Sequence, residues 1–375
     1  MKIPDELGGH WHLQVIYRVC ADILGSKSLE NLLASQLGSH HPLAWLFDEA
    51  FRRNAKAQCI AANTAKTFQI IKEDTKLRAW FKKRLAEAVQ FPPKQEFDKA
   101  YHSLASSYKA LAEIRAVGYL KRCGFEVCPR SEHEKGFDFF AKIKGFEIAV
   151  EVTAMRMNPE ETKKWLTAGG ERTIYPAGSP KEGEFSVDNV AHRFAQKAEE
   201  EDEQLPEDMP SLLWFDLQFR DWWALGIDEA CPLYVLPRGR FRTGGLWLGF
   251  YGCKCTALLD SESLLNGLPP NARGIEYPAL RYPGYFMKES PKASATILAL
   301  PECTIIFENP YAKKENLLPY EVFASLIRLP WFDWPHSWIR PFWEKDDHAI
   351  KELQERVCAT LRMINSVAAH ARLGW

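Results

Sequence analysis

Over residues 1–100 apolar positions recur at spacings of three and four, the pattern of helices that bury one face. Trp11–Leu24, Pro42–Arg53 and Thr64–Val89 carry it most clearly, and strand signals are almost absent. Phe91-Pro92-Pro93 ends the last of them, because proline lacks the amide hydrogen that would continue a helix. A long helix is predicted from Phe97 to Cys123, stopped by Gly124, with Ala110, Ile114, Val117 and Leu120 as its buried stripe. Glu113 lies one turn before Val117, so it borders that stripe rather than open water.

The apolar period then falls to two. Phe125–Cys128 reads as a short strand and Pro129–Glu134 as a polar loop. Lys135–Met155 (KGFDFFAKIKGFEIAVEVTAM) reads as two strands joined by a tight turn at Lys144-Gly145. With Ile143 opposite Phe146, Asp138 falls opposite Glu151. Phe137, Phe139, Ala141, Ile143, Phe146, Ile148, Val150 and Val152 then share one wholly apolar face. The other face carries Asp138, Phe140, Lys142, Glu147, Ala149, Glu151 and Thr153. Like charges directly opposed across a ladder are destabilising, so this pair of acids suggests a cation between them.

Residues 156–185 are polar and irregular, with a helical turn expected near Glu160–Leu166. A helix from Val187 to Glu203 follows, on which Arg193, Gln196 and Lys197 share a face. Leu212–Phe219 is a buried strand, and residues 221–290 form an insertion rich in Gly, Pro and aromatics, with strands at Leu233–Leu236 and Gly245–Tyr251. Ser294–Leu300 and Thr304–Glu308 make a strand pair ending in a turn at Asn309–Ala312. Trp331, Trp334, Trp338 and Trp343 form a packed aromatic seam rather than a base-stacking platform, and a helix from Asp347 to Ala371 closes the pattern. The organisation is a helical N-terminal domain (1–100), a core (101–220), the insertion (221–290), a strand pair completing the core sheet (291–320) and a Trp-rich segment with the C-terminal helix (321–375). The fold class is α/β, a mixed central sheet flanked by helices with an all-helical N-terminal region.

Composition adds little to this. Of 375 residues 46% are hydrophobic and 26% charged, which is ordinary for a globular chain that can bury a core, and a net charge of −1 selects no partner. Phe51–Gln90 holds ten Lys/Arg against three Asp/Glu, while Glu199–Asp208 holds seven acids and no base; both read first as solvated helix faces. Nine scattered cysteines, no apolar N-terminal signal and no run of 18 apolar residues point to a reducing cytoplasm and no membrane partner. Cys253-Lys254-Cys255 has neither the gap nor the second ligand pair of a zinc site, and His10, His12, His40 and His41 read as surface or core histidines.

The order helix with Glu113, strand, strand with Asp138, strand with Glu151, helix with Arg193, Gln196 and Lys197, strand resembles the core of the PD-(D/E)XK nuclease superfamily, the restriction-endonuclease-like αβββαβ fold. The resemblance spans about Ala105 to Phe219 and rests on Gly136-Phe137-Asp138 and Glu151-Val152-Thr153. It implies a nuclease acting on DNA, with Asp138 and Glu151 holding magnesium (or manganese) and Glu113 completing the site. Such an ion prefers hard oxygen ligands and keeps several waters, which suits two carboxylates. Arg193, Gln196 and Lys197 would contact the nucleic acid. Where the family has a catalytic lysine this chain has Thr153, which can position water but offers no cation.

Three basic residues could stand in for that lysine. Lys142 lies about 13 Å along the strand with Glu147 as its mate, and Arg156 has the wrong parity, so Lys197 is the preferred substitute. Other functions stay open at this point: a catalytically inactive module of the same fold that binds nucleic acid or a protein partner, or a scaffold in a larger assembly. Oligomeric state is not legible.

Overall fold

The computed structural model describes residues 7–34, 40–90, 104–130, 136–155, 187–222, 225–236, 240–252, 284–341 and 348–372. The expectations for Phe91–Pro93, residues 156–185 (including Arg156), the Cys253/Cys255 pair and Trp343 lie outside these residues.

The N-terminal region is helical, as its period requires: α1 (Trp11–Leu24), α2 (Ser26–Leu33), α3 (Glu49–Arg52), α4 (Ala55–Glu73) and α5 (Arg78–Ala88). Two expected helices are broken, each by an aspartate. Asp48, extended at ψ 134°, accepts from the Ala50 amide at 2.9 Å and divides Pro42–Arg53 into a 3-10 turn (Ala44–Phe47) and α3. Asp74, extended at ψ 110°, ends α4 and accepts from the Lys76 amide at 2.9 Å, so Thr64–Val89 is two helices. A short acceptor side chain that captures nearby amides competes with the helical ladder at each break.

Helix α6 (Ala105–Arg122) is buried almost all round, Ser107–Leu120 apart from Lys109. The single stripe expected from its period gives way to burial on several sides. α4 and α5 cover one flank, and the sheet covers another. The contact with α4 is close at Gly118, where an added Cβ would lie 2.2 Å from Thr67 Cγ2.

The sheet has six strands in the order β1 (Glu126–Pro129), β2 (Phe139–Ile143), β3 (Phe146–Ala154), β4 (Ser211–Asp216), β7 (Ala295–Ala299), β8 (Thr304–Glu308). β5 (Tyr234–Leu236) and β6 (Arg240–Arg242) form a separate antiparallel pair. β1, β2 and β3 are antiparallel neighbours, β3, β4 and β7 run parallel, and β8 is antiparallel to β7. Ile143 pairs with Phe146, and Lys144 (φ 49°) and Gly145 (φ 85°) make the expected turn, both with the positive φ that such a two-residue hairpin needs. One face, with Ile148, Val150, Val152, Leu212 and Trp214, packs under α6 and the N-terminal helices. The opposite face, with Ala149, Leu213, Phe215 and Phe307, packs under α7 (Val187–Asp202) and residues of the 221–290 segment.

Two further expectations change. Gly245–Tyr251 is helix α8, not a strand. An apolar run of this length carries no period to separate the two, and the glycines decide it: Gly245 and Gly249, one turn apart, seat α8 against Val190 and the Ala191 carbonyl of α7. Phe137 belongs to the second face, packed edge-on to Phe140 with ring centres 4.7 Å apart, instead of sharing a face with Phe139. Alternation starts only where β2 begins, and Gly136 (φ 114°) turns the chain just before it.

After β8 come α9 (Tyr320–Leu326) and α10 (His348–Arg372). Between them, residues 331–338 run beside β8: the Thr304 amide donates to the Trp331 carbonyl at 3.0 Å, and the Glu308 amide to the Trp338 carbonyl at 2.8 Å. Trp338 is buried against Trp247 and Tyr251, as a packed seam requires, whereas Trp331 and Trp334 stay exposed. No helix among the described residues is long and apolar enough to cross a membrane.

Candidate functional site

Asp138 sits one residue before β2, and its backbone extends the ladder: its amide donates to the Val150 carbonyl at 3.1 Å and its carbonyl accepts from the Arg130 amide at 3.0 Å. Its side chain turns inward, Oδ2 accepting from the Val152 amide at 2.8 Å. Gly136 leaves room for Arg130, since a Cβ there would lie 2.7 Å from Arg130 Nη1. Arg130 stacks over the Phe137 ring at 4.4 Å and fixes the segment leading in.

Glu151, on β3, is 1% exposed, and Thr153, two residues on, is also buried. The cation between the acids comes from α6. Lys109 Nζ lies 2.8 Å from Asp138 Oδ2 and 2.8 Å from Glu151 Oε1, and donates a third, short hydrogen bond to the Val152 carbonyl. Three oxygens from two strands thus converge on one ammonium at the carboxyl end of β3. Glu151 Oε2 remains buried without a hydrogen-bond partner.

Glu113, four residues beyond Lys109 on α6, faces the same cluster. It is 3% exposed and pairs with Arg84 Nε at 2.9 Å, and Arg84 in turn bonds Glu87 at 2.8 Å. Burial, then Asp138, push the Glu113 carboxyl up to about 8 against the pull of Lys109 and Arg84. Burial and Asp138 likewise push Glu151 up to about 9, with Glu201 of α7 adding to the rise. Burial works against the charge on Lys109, yet Asp138, Glu151 and Glu113 together hold its pKa above the ordinary lysine value. Burial is the first cause of the rise at both acids, and the excess of carboxyl groups over cations adds to it there and outweighs burial at the lysine.

The remaining predicted residues are placed around this centre unevenly. Lys197 is bound to its own helix, 2.6 Å from Glu201 and 3.2 Å from Glu200. Gln196 is exposed and donates to Glu200 at 3.3 Å. The Arg193 guanidinium lies 5.5 Å over the Trp222 ring, whose Nε1 donates to the Met155 carbonyl at 2.7 Å, just past β3. Lys142 pairs with Glu147 at 3.1 Å, as the register dictates.

Two members of the cluster were not among the residues assigned to a site. Lys109 stands four before Glu113, a spacing that puts both on one face of the helix, but read alone it is only an ion-pair partner for that glutamate. Glu201 is buried, although the acidic run from Glu199 reads as a solvated face. Arg115, two residues from Glu113 and so on another face of the helix, reaches Asp216 at 3.4 Å.

The donor set fits a hard divalent cation. Two carboxylate oxygens and a carbonyl already surround one positive charge, and magnesium commonly takes one or two carboxylates and keeps water on its other positions. Among the described residues no group of three or more His, Cys, Asp or Glu side chains is arranged to hold a metal ion, so the carbonyl would be the third protein donor. Comparison with protein-family models, curated proteins and solved structures finds no match.

Proposed function

We propose that this chain is a metal-dependent nuclease-like protein that hydrolyses DNA phosphodiesters, on a restriction-endonuclease-like core of the PD-(D/E)XK superfamily. The observation that carries it is the convergence of Asp138 Oδ2, Glu151 Oε1 and the Val152 carbonyl on a single cation. The order α6, β1, β2, β3, α7, β4, with the four strands adjacent in the sheet, supports the same reading.

Asp138 and Glu151 would hold magnesium or manganese together with the Val152 carbonyl. When bound, such an ion acidifies a coordinated water and neutralises charge on the phosphate. The chain's own residues fix the rest. The Val152 amide and the turn at Gly136 orient the Asp138 carboxylate before any ligand arrives. Burial keeps Glu151 from hydrating, and Glu113, held by Arg84, borders the cluster from the helix side. Thr153 contributes at most a hydroxyl, so among the described residues positive charge for the phosphate would come from Lys109, which touches both acids, with Lys197 and Arg193 on α7.

The Lys109 ammonium already seated between the acids favours a second reading, a catalytically silent module of this fold that binds nucleic acid or a protein partner. One experiment separates them. Single- and double-stranded DNA and RNA are incubated with the protein and magnesium or manganese. Cleavage by wild type that falls about 100-fold or more in Asp138→Asn supports the nuclease. Salt-sensitive binding without cleavage supports the silent module.

A further inference from the structure

We propose that Lys109 is an exchangeable internal cation: its ammonium keeps the cradle of Asp138, Glu151 and the Val152 carbonyl filled until a divalent metal ion displaces it. This rests on reading that cradle as a metal site. Exposure makes the exchange one-sided. The Lys109 side chain is 36% exposed and that of Glu151 1%, so the lysine can swing out by rotamer changes along an unbranched stem, whereas the acid can leave only if β3 unpairs.

Valence points the same way. An ammonium has three hydrogens, and all three are used, on Asp138, Glu151 and the Val152 carbonyl. Glu151 Oε2 is nevertheless left buried and unpartnered, an acceptor that a single ammonium has no fourth hydrogen to reach. A divalent ion brings twice the charge and takes six or more oxygen ligands, so it can use what the lysine leaves over. The displaced ammonium is not stranded, because Glu113 lies one turn away on the same helix and already acts on its charge. Arg115 on that helix is the counter-example: at 1% exposure, paired to an Asp216 side chain at 0%, it has no route out.

The test is calorimetric titration of the full chain with manganese, comparing wild type, Lys109→Met, Lys109→Gln and the double variant Lys109→Met/Asp138→Asn. Both single variants should bind manganese at least about tenfold more tightly than wild type, since the competing cation is gone. The double variant should lose the gain. Folded single variants, judged by circular dichroism, that bind no more tightly than wild type overturn the proposal, as does an absence of manganese binding in every form. Should the variants fail to fold, wild type decides alone: the ¹⁵N signal of the Lys109 ammonium should move to the free-lysine position as magnesium is added, and a signal unmoved at high magnesium is refuting. DNA cleavage is followed in parallel. Cation exchange without cleavage removes the nuclease reading and keeps this one, while cleavage with unaltered manganese affinity in the lysine variants does the reverse.

Discussion

Two of the basic residues of helix α6, Lys109 and Arg115, six positions apart, reach across to acids of the sheet, and the two clusters they make are opposites. Arg115 is sealed. Its guanidinium bonds Thr64 Oγ1, Asp216 and the Gln218 carbonyl, lies 4.9 Å over the Phe219 ring, and is backed by Tyr119 donating to Gln218 Oε1 at 2.9 Å. One base meets one acid, neither touches water, and the atom left without a partner is a donor, Arg115 Nη2, not an acceptor. Lys109 meets two acids with a third one turn away, its stem is partly exposed, and one carboxylate oxygen has nothing bound to it. A matched, enclosed ion pair commits its charges to the fold. A cluster with surplus acid and a route to solvent keeps charge available for a ligand.

Substitutions in the two clusters should therefore differ first in what they do to stability. Arg115→Met leaves Asp216 buried and uncompensated, and urea denaturation should show a loss of about 3–5 kcal/mol. Lys109→Met should cost less than half as much, because Asp138 keeps some contact with water and Glu151 can retain a proton. Equal losses would erase the distinction between the two clusters.

A second sealed group sharpens the contrast through pH. His41 is buried, its Nδ1 accepting from the Leu43 and Ala44 amides at 3.2 Å while Nε2 faces the Gln90 carbonyl at 3.2 Å, an arrangement only the neutral ring satisfies. Burial lowers its pKa from 6.5 to about 4. A depressed histidine contributes stability that is complete above pH 6.5 and is lost as pH falls toward 4, so the native state should weaken over that window by about 3 kcal/mol from this residue. His40 is also lowered to about 4 by burial and adds a loss of the same sign. Melting curves from pH 7.5 to 4 should slope less for His41→Asn than for wild type.

Smaller effects test the frame that positions both clusters. Gly118→Ala puts a methyl 2.2 Å from Thr67 Cγ2 and should push α6 off α4, costing about 1–3 kcal/mol. If Lys109 depends on that seat, manganese affinity should shift in the same variant. Lys142→Ala removes an exposed cross-strand pair and should leave the melting temperature unchanged within error.

Much of this was legible in the sequence. The hairpin register, the turn at Lys144-Gly145 and the nearness of Asp138 to Glu151 follow from a period of two and one glycine. The cation between the acids was implied too, as a ligand from outside. Its source was hidden, because Lys109 comes from a helix whose packing over the sheet is a tertiary fact that helical spacing does not encode. The burial of Glu201 was hidden for a similar reason, since an acidic run shows its charges but not which of them turns inward. Gly245–Tyr251 was misread because a run of this length, apolar throughout, has no period to read.

The strap formed by residues 331–338 has a consequence for how this molecule meets others. It occupies the outer hydrogen-bonding rim of β8 with its own backbone, while β1, at the opposite rim, is four residues long and ends in Pro129, which has no amide to offer. Neither rim offers a long free ladder for a visiting strand. Growth by strand addition, whether recruitment of a peptide or runaway self-stacking, must first peel the strap away, so resistance to aggregation should track how firmly Trp338 is anchored between Trp247 and Tyr251.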